Sequence, residues 1–193
     1  MALKVEELID REEVRSLILR YFRAADRVDA ELGTPTFWED GHFIGGPLAG
    51  TMEDVMPALY NDLLPNAFEL TLHYIQNLVV TMEGDRGFAE AYAVGYQLVS
   101  GRDAIVGAVG AETYARYGGD SDRVELLVGV RYAIELERRG GEWRMLTMAP
   151  IVDWTRVQPY QGIVGDAGLL AAITNRGKRD RSDQSYFGRD LAF

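Results

Sequence analysis

The chain has 193 residues, 47% hydrophobic and 10% aromatic, the length and apolar content of one domain with a full core. Its formal net charge of -10 repels phosphate backbones and anionic lipid heads, so no nucleic acid or membrane partner is expected, and a neutral or modestly polar small molecule fits better. The absence of cysteine removes disulfides, thiolate metal sites and cysteine nucleophiles; no apolar run approaches about 18 residues and MALKVEELID has no secretory pattern, so a soluble, cytoplasmic protein is expected.

Residues 4–28 place Val14, Leu17, Ile18, Tyr21, Phe22 and Ala25 at the three-and-four spacing of a helix with one buried stripe. TPTFWEDG predicts a short helix, capped by Thr34, with Pro35 in its first turn and Gly41 as its stop. HFIGG then reads as a short strand. Thr51 and Asp54 have the spacing of a capping box opening TMEDVMPALYNDLLP, with Pro57 placed to kink or delay that helix.

From residue 68 the hydrophobic period changes from about 3.6 to about 2, predicting strands at 70–83, 87–100, 124–138 and 142–154. Gly84-Asp85, a Gly-rich connection at 101–123, and Gly140-Gly141 separate them, and the short turns imply antiparallel neighbours. Helices followed by strands is the pattern of an α+β domain, here a cone-shaped half-barrel with a curved antiparallel sheet wrapped around the N-terminal helices. The domain is expected over residues 1–156. Residues 157–193 form a C-terminal extension packing on the domain or on a neighbouring subunit; the charged NRGKRDRSDQSYFGRDLAF reads as a mobile tail in which Tyr186, Phe187 and Phe193 could dock.

Two residues carry the chemistry. Asp26 lies four residues after Phe22 and eight after Ile18, so helical geometry puts its carboxylate on or beside the buried stripe, where an ionised acid needs a partner. Leaning into solvent, or bonding backbone amides of the next loop, is the plain structural alternative, although Asp29 suits the exposed role better. His73, one of only two histidines, shares strand parity with Ile75, Asn77 and Val79, a largely apolar face. Alone it reads as a core histidine fixed by a carbonyl. Brought to Asp26 inside a cone, it becomes a proton-transfer group whose tautomer the carboxylate sets.

The segments LIDREEVRSLILRYFRAADRVD, FWEDGHF, LHYIQNLVV and RYAIELERRGGEWRM resemble the SnoaL-like, or polyketide-cyclase-like, branch of the nuclear-transport-factor-2-like superfamily, over roughly residues 5–156. Within it the chain is similar to scytalone dehydratase, bile-acid 7α-dehydratase and hexachlorocyclohexane dehydrochlorinase. The resemblance implies a cystatin-like cone, no cofactor, and a histidine base on an inner strand oriented by an aspartate at the end of the first helix. His73 and Asp26 match those positions, and Tyr21 matches a tyrosine that hydrogen-bonds substrate. Met148 stands where the dehydrochlorinase has an arginine, which argues against chloride as the leaving group. Relatives assemble as trimers or dimers, so a homotrimer or homodimer is implied.

Around the pair, Phe43, Phe68, Tyr92, Tyr96, Val130, Tyr132, Met148 and Trp154 are the expected pocket wall, each equally able to be ordinary core. Ala89, Ala91, Ala93 and Gly95 oppose Tyr92 and Tyr96 in parity and could line a cavity instead; Glu90 is a further candidate buried acid. His42, beside a turn glycine, gives no metal-ligand spacing with His73, and no metal is expected. The Gly pairs at 45–46 and 118–119 lack the strand-loop-helix context of a phosphate loop. The expected function is a cofactor-independent lyase acting on a hydrophobic, ring-bearing molecule, by dehydratase-type elimination or aldehyde-releasing retro-aldol cleavage. Alternatives are an isomerase or cyclase using the same pair, a non-catalytic small subunit of a ring-hydroxylating dioxygenase, and a ligand-binding module.

Overall fold

Helix α1, Val5–Arg27, buries Val14, Leu17, Ile18, Tyr21, Phe22, Ala24, Ala25 and Asp26, the stripe that the spacing predicts. The computed structural model describes residues 4–46, 48–162, 168–172 and 176–186. α1 ends where Val28 turns left-handed (φ 52°) and its N–H returns to the carbonyls of Ala24 and Ala25. The short α2, Ala30–Gly33, follows, with Asp29 accepting from the Leu32 amide as its cap.

TPTFWEDG corrects the helix expectation. Only Thr34–Thr36 winds, as a single 3-10 turn; Phe37–Phe43 is strand β1, parallel to the last strand. The Pro35 and Gly41 signals were real but served other ends. A Cβ on Gly41 would lie 2.7 Å from the Leu146 carbonyl oxygen and 2.9 Å from that of Trp38, so this glycine permits close backbone approach in the sheet and stops no helix. Strand β2, Gly50–Thr51, pairs with β1. Then α3, Met52–Ala58, contains Pro57 and runs through a wider π turn, Leu59–Leu63, into α4, Leu64–Ala67. Thr51 and Asp54 bond side chain to side chain at 2.9 Å, and neither caps the helix backbone.

The sheet follows the change in period: β3 Leu70–Glu83, β4 Arg86–Ser100, β5 Arg123–Arg139 and β6 Glu142–Pro159. The order is β2-β1-β6-β5-β4-β3, antiparallel except for β1 against β6. β6 runs on to Pro159, so the expected domain boundary at 156 falls inside a strand. The 101–123 connection is helical at α5, Arg102–Val109, and α6, Ala111–Thr113, and packs a second small core around Val99, Ile105, Tyr114 and Val124.

The main core lies between α1, α3 and the inner sheet face, where Trp143, Met145, Met148, Ile134, Leu136 and Ala89 meet the helical stripe. Bulges shift parity along the long strands. One between Ile75 and Leu78 turns Leu78, Val80 and Met82 inward and leaves Val79 exposed. His73 and Ile75 therefore share a face, but the expected run through Asn77 and Val79 stops at the bulge. In β6, irregularities opposite Glu135/Leu136 and Gly129/Val130 interrupt the alternation along the strand.

Residues 176–186 lie against the domain, held through Arg179, Arg181, Asp183, Ser185 and Tyr186. Beneath them Asp29, expected to be exposed, is buried. Tyr186 docks as its residue type allowed; Phe187 and Phe193 lie outside the described residues. The short α7, Gly168–Ala171, precedes this stretch.

Candidate functional site

Asp26 sits in the last turn of α1, only 8% exposed, and faces the start of β3. Its Oδ2 accepts the His73 backbone N–H at 2.9 Å, and its Oδ1 lies 2.6 Å from His73 Nδ1. One carboxylate thus binds both the strand and the ring of the same residue. A carboxylate only accepts, so in the neutral ring Nδ1 carries the proton and Nε2 the lone pair. The Phe22 ring, one helical turn before Asp26, lies 5.3 Å from the imidazole centroid and limits how the ring can turn.

His73 lines a cavity of about 280 Å³ together with Tyr21, Phe22, Phe43, Phe68, Thr71, Gln97, Tyr132 and Pro150, closed by aliphatic side chains of α3 and α4. Tyr132 packs edge-on to Phe22 at 4.8 Å, and Tyr21 does so to Phe37 at 5.3 Å. Burial pushes the Tyr132 phenol up, and the Asp26 charge adds to that. Burial likewise raises Tyr21, helped by Tyr60 and Tyr132. Both phenols therefore remain neutral at physiological pH and can donate a hydrogen bond into the cavity.

Of the residues expected at the site, the structure brings together His73, Asp26, Tyr21, Phe43, Phe68 and Tyr132. Val130 and Met148 are buried but sit in the packed interior, off the cavity lining. Tyr92, Tyr96 and Trp154 are corrections: they lie on the other face of the sheet. β4 buries Gly87, Ala89, Ala91, Ala93 and Gly95 inward, which leaves Tyr92 37% exposed and Tyr96 bonded to Glu125. Trp154 is 48% exposed, carried outward by the bulge at Gly129/Val130 and laid over Gly129, where a Cβ would come within 2.0 Å of its Nε1. Glu90 is also outward, paired with Arg131 at 3.1 Å.

Sequence reasoning missed Thr71, Gln97 and Arg179. Thr71 is 1% exposed, two residues before His73 on the same face, and lies opposite Gln97 in the register; its parity with His73 was the available signal. Arg179 donates through Nη1 to the carbonyls of Leu64 (2.9 Å) and Phe68, and through Nη2 to Thr71 Oγ1 (3.3 Å). All three acceptors belong to residues of the cavity wall. No periodicity in a charged tail could have indicated that contact.

The match that assigns the family spans residues 6–149 and is to the SnoaL-like domain. The chain belongs to that family. No curated protein sequence matches this SnoaL-like chain. Among solved structures, a type 2 hexachlorocyclohexane dehydrochlorinase is similar at 14% identity with a TM-score of 0.66, over 85% of this chain and 99% of that one. The type 3 dehydrochlorinase of Novosphingobium barchaimii LL02 is similar at 16% identity and 0.63, over 85% and 99%. A protein of Novosphingobium aromaticivorans, assigned as a scytalone dehydratase, is similar at 12% and 0.61, over 81% and 96%. At these identities the likeness is one of fold, α+β with helices packed on a mainly antiparallel six-stranded sheet. Among the described residues of the SnoaL-like domain no group of three His, Asp or Glu is placed to hold a metal ion, and His42 is exposed.

Proposed function

We propose that the chain is a cofactor-independent lyase in which His73 acts as general base on a hydrophobic, ring-bearing small molecule. The observation that carries this reading is the 2.6 Å contact between Asp26 Oδ1 and His73 Nδ1 at the wall of a mainly apolar cavity. With Nδ1–H held by the carboxylate, the Nε2 lone pair takes a proton from substrate, and Asp26 stabilises the imidazolium that forms. The electron pair released from the broken C–H bond expels a leaving group from the adjacent carbon. In a retro-aldol step, the pair from a broken O–H bond instead forms a carbonyl as the C–C bond cleaves. Tyr132 or Tyr21, kept protonated by burial, donates to the oxygen on which negative charge accumulates.

The same base could return its proton to another carbon and act as an isomerase or cyclase; product analysis separates the two outcomes. The family's dehydratase and dehydrochlorinase relatives make elimination the leading choice. Among the described residues no arginine or lysine lines the cavity to receive a departing chloride, so water or a carbonyl fragment is the proposed leaving group.

The test is turnover of His73→Gln on a panel of hydroxylated ring ketones and β-hydroxy carbonyl compounds. Positioned proton transfer contributes roughly 10²- to 10⁴-fold, so the variant should lose at least that range for any substrate the wild type converts. A folded variant that keeps near-normal turnover removes His73 from the mechanism.

A further inference from the structure

Polar side chains on the wall of the cavity beside His73 are few: Tyr21, Thr71, His73, Gln97 and Tyr132. Most already have a task. His73 is held by Asp26, Thr71 Oγ1 accepts from Arg179 at 3.3 Å, and Tyr21 and Tyr132 are the buried phenols of the proposed reaction. Gln97 is unused. Its side chain meets no hydrogen-bond partner among the described residues, so a half-buried carboxamide offers two N–H donors and one acceptor to whatever enters a mainly apolar space.

The register of β3 against β4 fixes where this amide stands. Gln97 pairs with Thr71, and Gly95 pairs with His73, so amide and imidazole are diagonal neighbours on one face, with Cβ positions about 7–8 Å apart. One small group fits between their tips. The place directly opposite the imidazole is bare, since a Cβ on Gly95 would meet nothing nearer than the Val128 carbonyl oxygen, at 3.9 Å. Ala93 and Ala91 continue that low floor, and Tyr132 stands further along it, opposite Ala91. Phenol and amide therefore occupy different ends of the floor, and the amide shares the end of the base. Thr71 sharpens the chemistry there: with its oxygen accepting from Arg179, its hydroxyl hydrogen remains to donate, so donors stand side by side.

We infer that Gln97 is the specificity-determining residue of this cavity, its carboxamide N–H holding the carbonyl oxygen of a ring ketone beside His73. The meaning of that contact as substrate recognition rests on the lyase reading; the contact itself rests on the cavity alone. A carbonyl suits a place furnished with donors, and it suits the base, because a C–H bond next to a carbonyl is the kind that an imidazole can break. The ring lies over the bare floor at Gly95 and Ala93, and the phenols are left for a second oxygen.

The experiment is binding of 1-tetralone, labelled with carbon-13 at the carbonyl, to the full chain, read by the infrared stretch of the bound carbonyl, with the parent hydrocarbon tetralin titrated in parallel. The stretch falls when the oxygen accepts a hydrogen bond. In the wild type it should lie below its value in hexane, and in Gln97→Met it should return toward that value. Gln97→Met should weaken tetralone by about three- to tenfold, the worth of one neutral hydrogen bond, and bind tetralin as tightly as the wild type or more so. Gln97→Asn, which keeps a shorter amide, should recover part of the shift. Tyr21→Phe and Tyr132→Phe should leave the stretch where it is. A shift that survives in Gln97→Met and vanishes in either phenylalanine variant hands the carbonyl to the phenols and overturns the assignment. Equal tetralone affinity in wild type and Gln97→Met overturns it too, as does a wild type that binds no tetralone. His73→Gln keeps the two readings apart: it should bind tetralone with the carbonyl stretch still lowered, although turnover is lost.

Discussion

The Asp26 carboxylate holds His73 by two atoms of that residue, the backbone nitrogen at 2.9 Å and Nδ1 at 2.6 Å, so the end of α1 and the start of β3 are joined through the imidazole itself. Asp26→Asn keeps the shape but can present an amide N–H to Nδ1, favouring the tautomer in which Nε2 is protonated and cannot act as base. Turnover should fall about 10²-fold or more with little change in melting temperature. Asp26→Ala should in addition lose about 1–3 kcal/mol, because the buried His73 amide is left without an acceptor. Thermal melts of both variants beside their rates check the distinction.

Arg179 ties the tail to the rim of the cavity through two carbonyls and Thr71. Burial pulls its guanidinium below the usual arginine range, while Asp26 opposes that pull. Arg179→Met should destabilise the protein by about 1–3 kcal/mol, since the Leu64 and Phe68 carbonyls lose a charged donor. At about 2–4 °C per kcal/mol for a chain of this size, calorimetry resolves the effect.

Acid should release the tail before it unfolds the domain. Burial alone would raise Asp29, but hydrogen bonds from Arg181, Tyr186 and the Leu32 amide outweigh it and hold the carboxyl below its ordinary value. The amide of Lys178 and the hydroxyl of Ser185 hold Asp183 lower still. A depressed folded pKa stabilises the docked state fully above the unfolded value of about 3.9 and progressively less as pH falls through the folded one. Amide exchange at Lys178 and Ser185 should accelerate below about pH 4, ahead of exchange in β4 and β5; simultaneous loss of protection would show that tail and domain open together.

Gly33 is required by contact and not by backbone angle. A Cβ there would lie 1.8 Å from the Tyr60 hydroxyl oxygen, which is itself buried without a hydrogen-bond partner among the described residues. Gly33→Ala should cost about 1–3 kcal/mol through overpacking. Tyr60→Phe, which deletes an unsatisfied buried hydroxyl, should be neutral or stabilising, and in the double variant only part of the Gly33→Ala loss should be recovered, because the added Cβ would still lie 2.5 Å from the Tyr60 Cζ ring carbon and 3.0 Å from the Ala24 Cβ. Denaturant midpoints of the four proteins test the coupling.

The helix stripe of α1 and the four long strands were legible because each repeats its local period over many residues, and the period alone reports which element forms. The anomalies were legible too: an acid on a buried stripe and a histidine on an apolar strand. Parity beyond a bulge was not legible, because one extra residue reverses every side chain after it without changing composition, which is why Trp154 reads inward in sequence and stands outward in the fold. Nor could sequence foresee that FWEDG is a strand, since its extended form depends on β6 supplying backbone partners. The contact between Asp26 and His73, the cavity beside it, and the arrival of Arg179 on its rim depend on segments 47 and more residues apart meeting in space, and only tertiary packing decides such meetings.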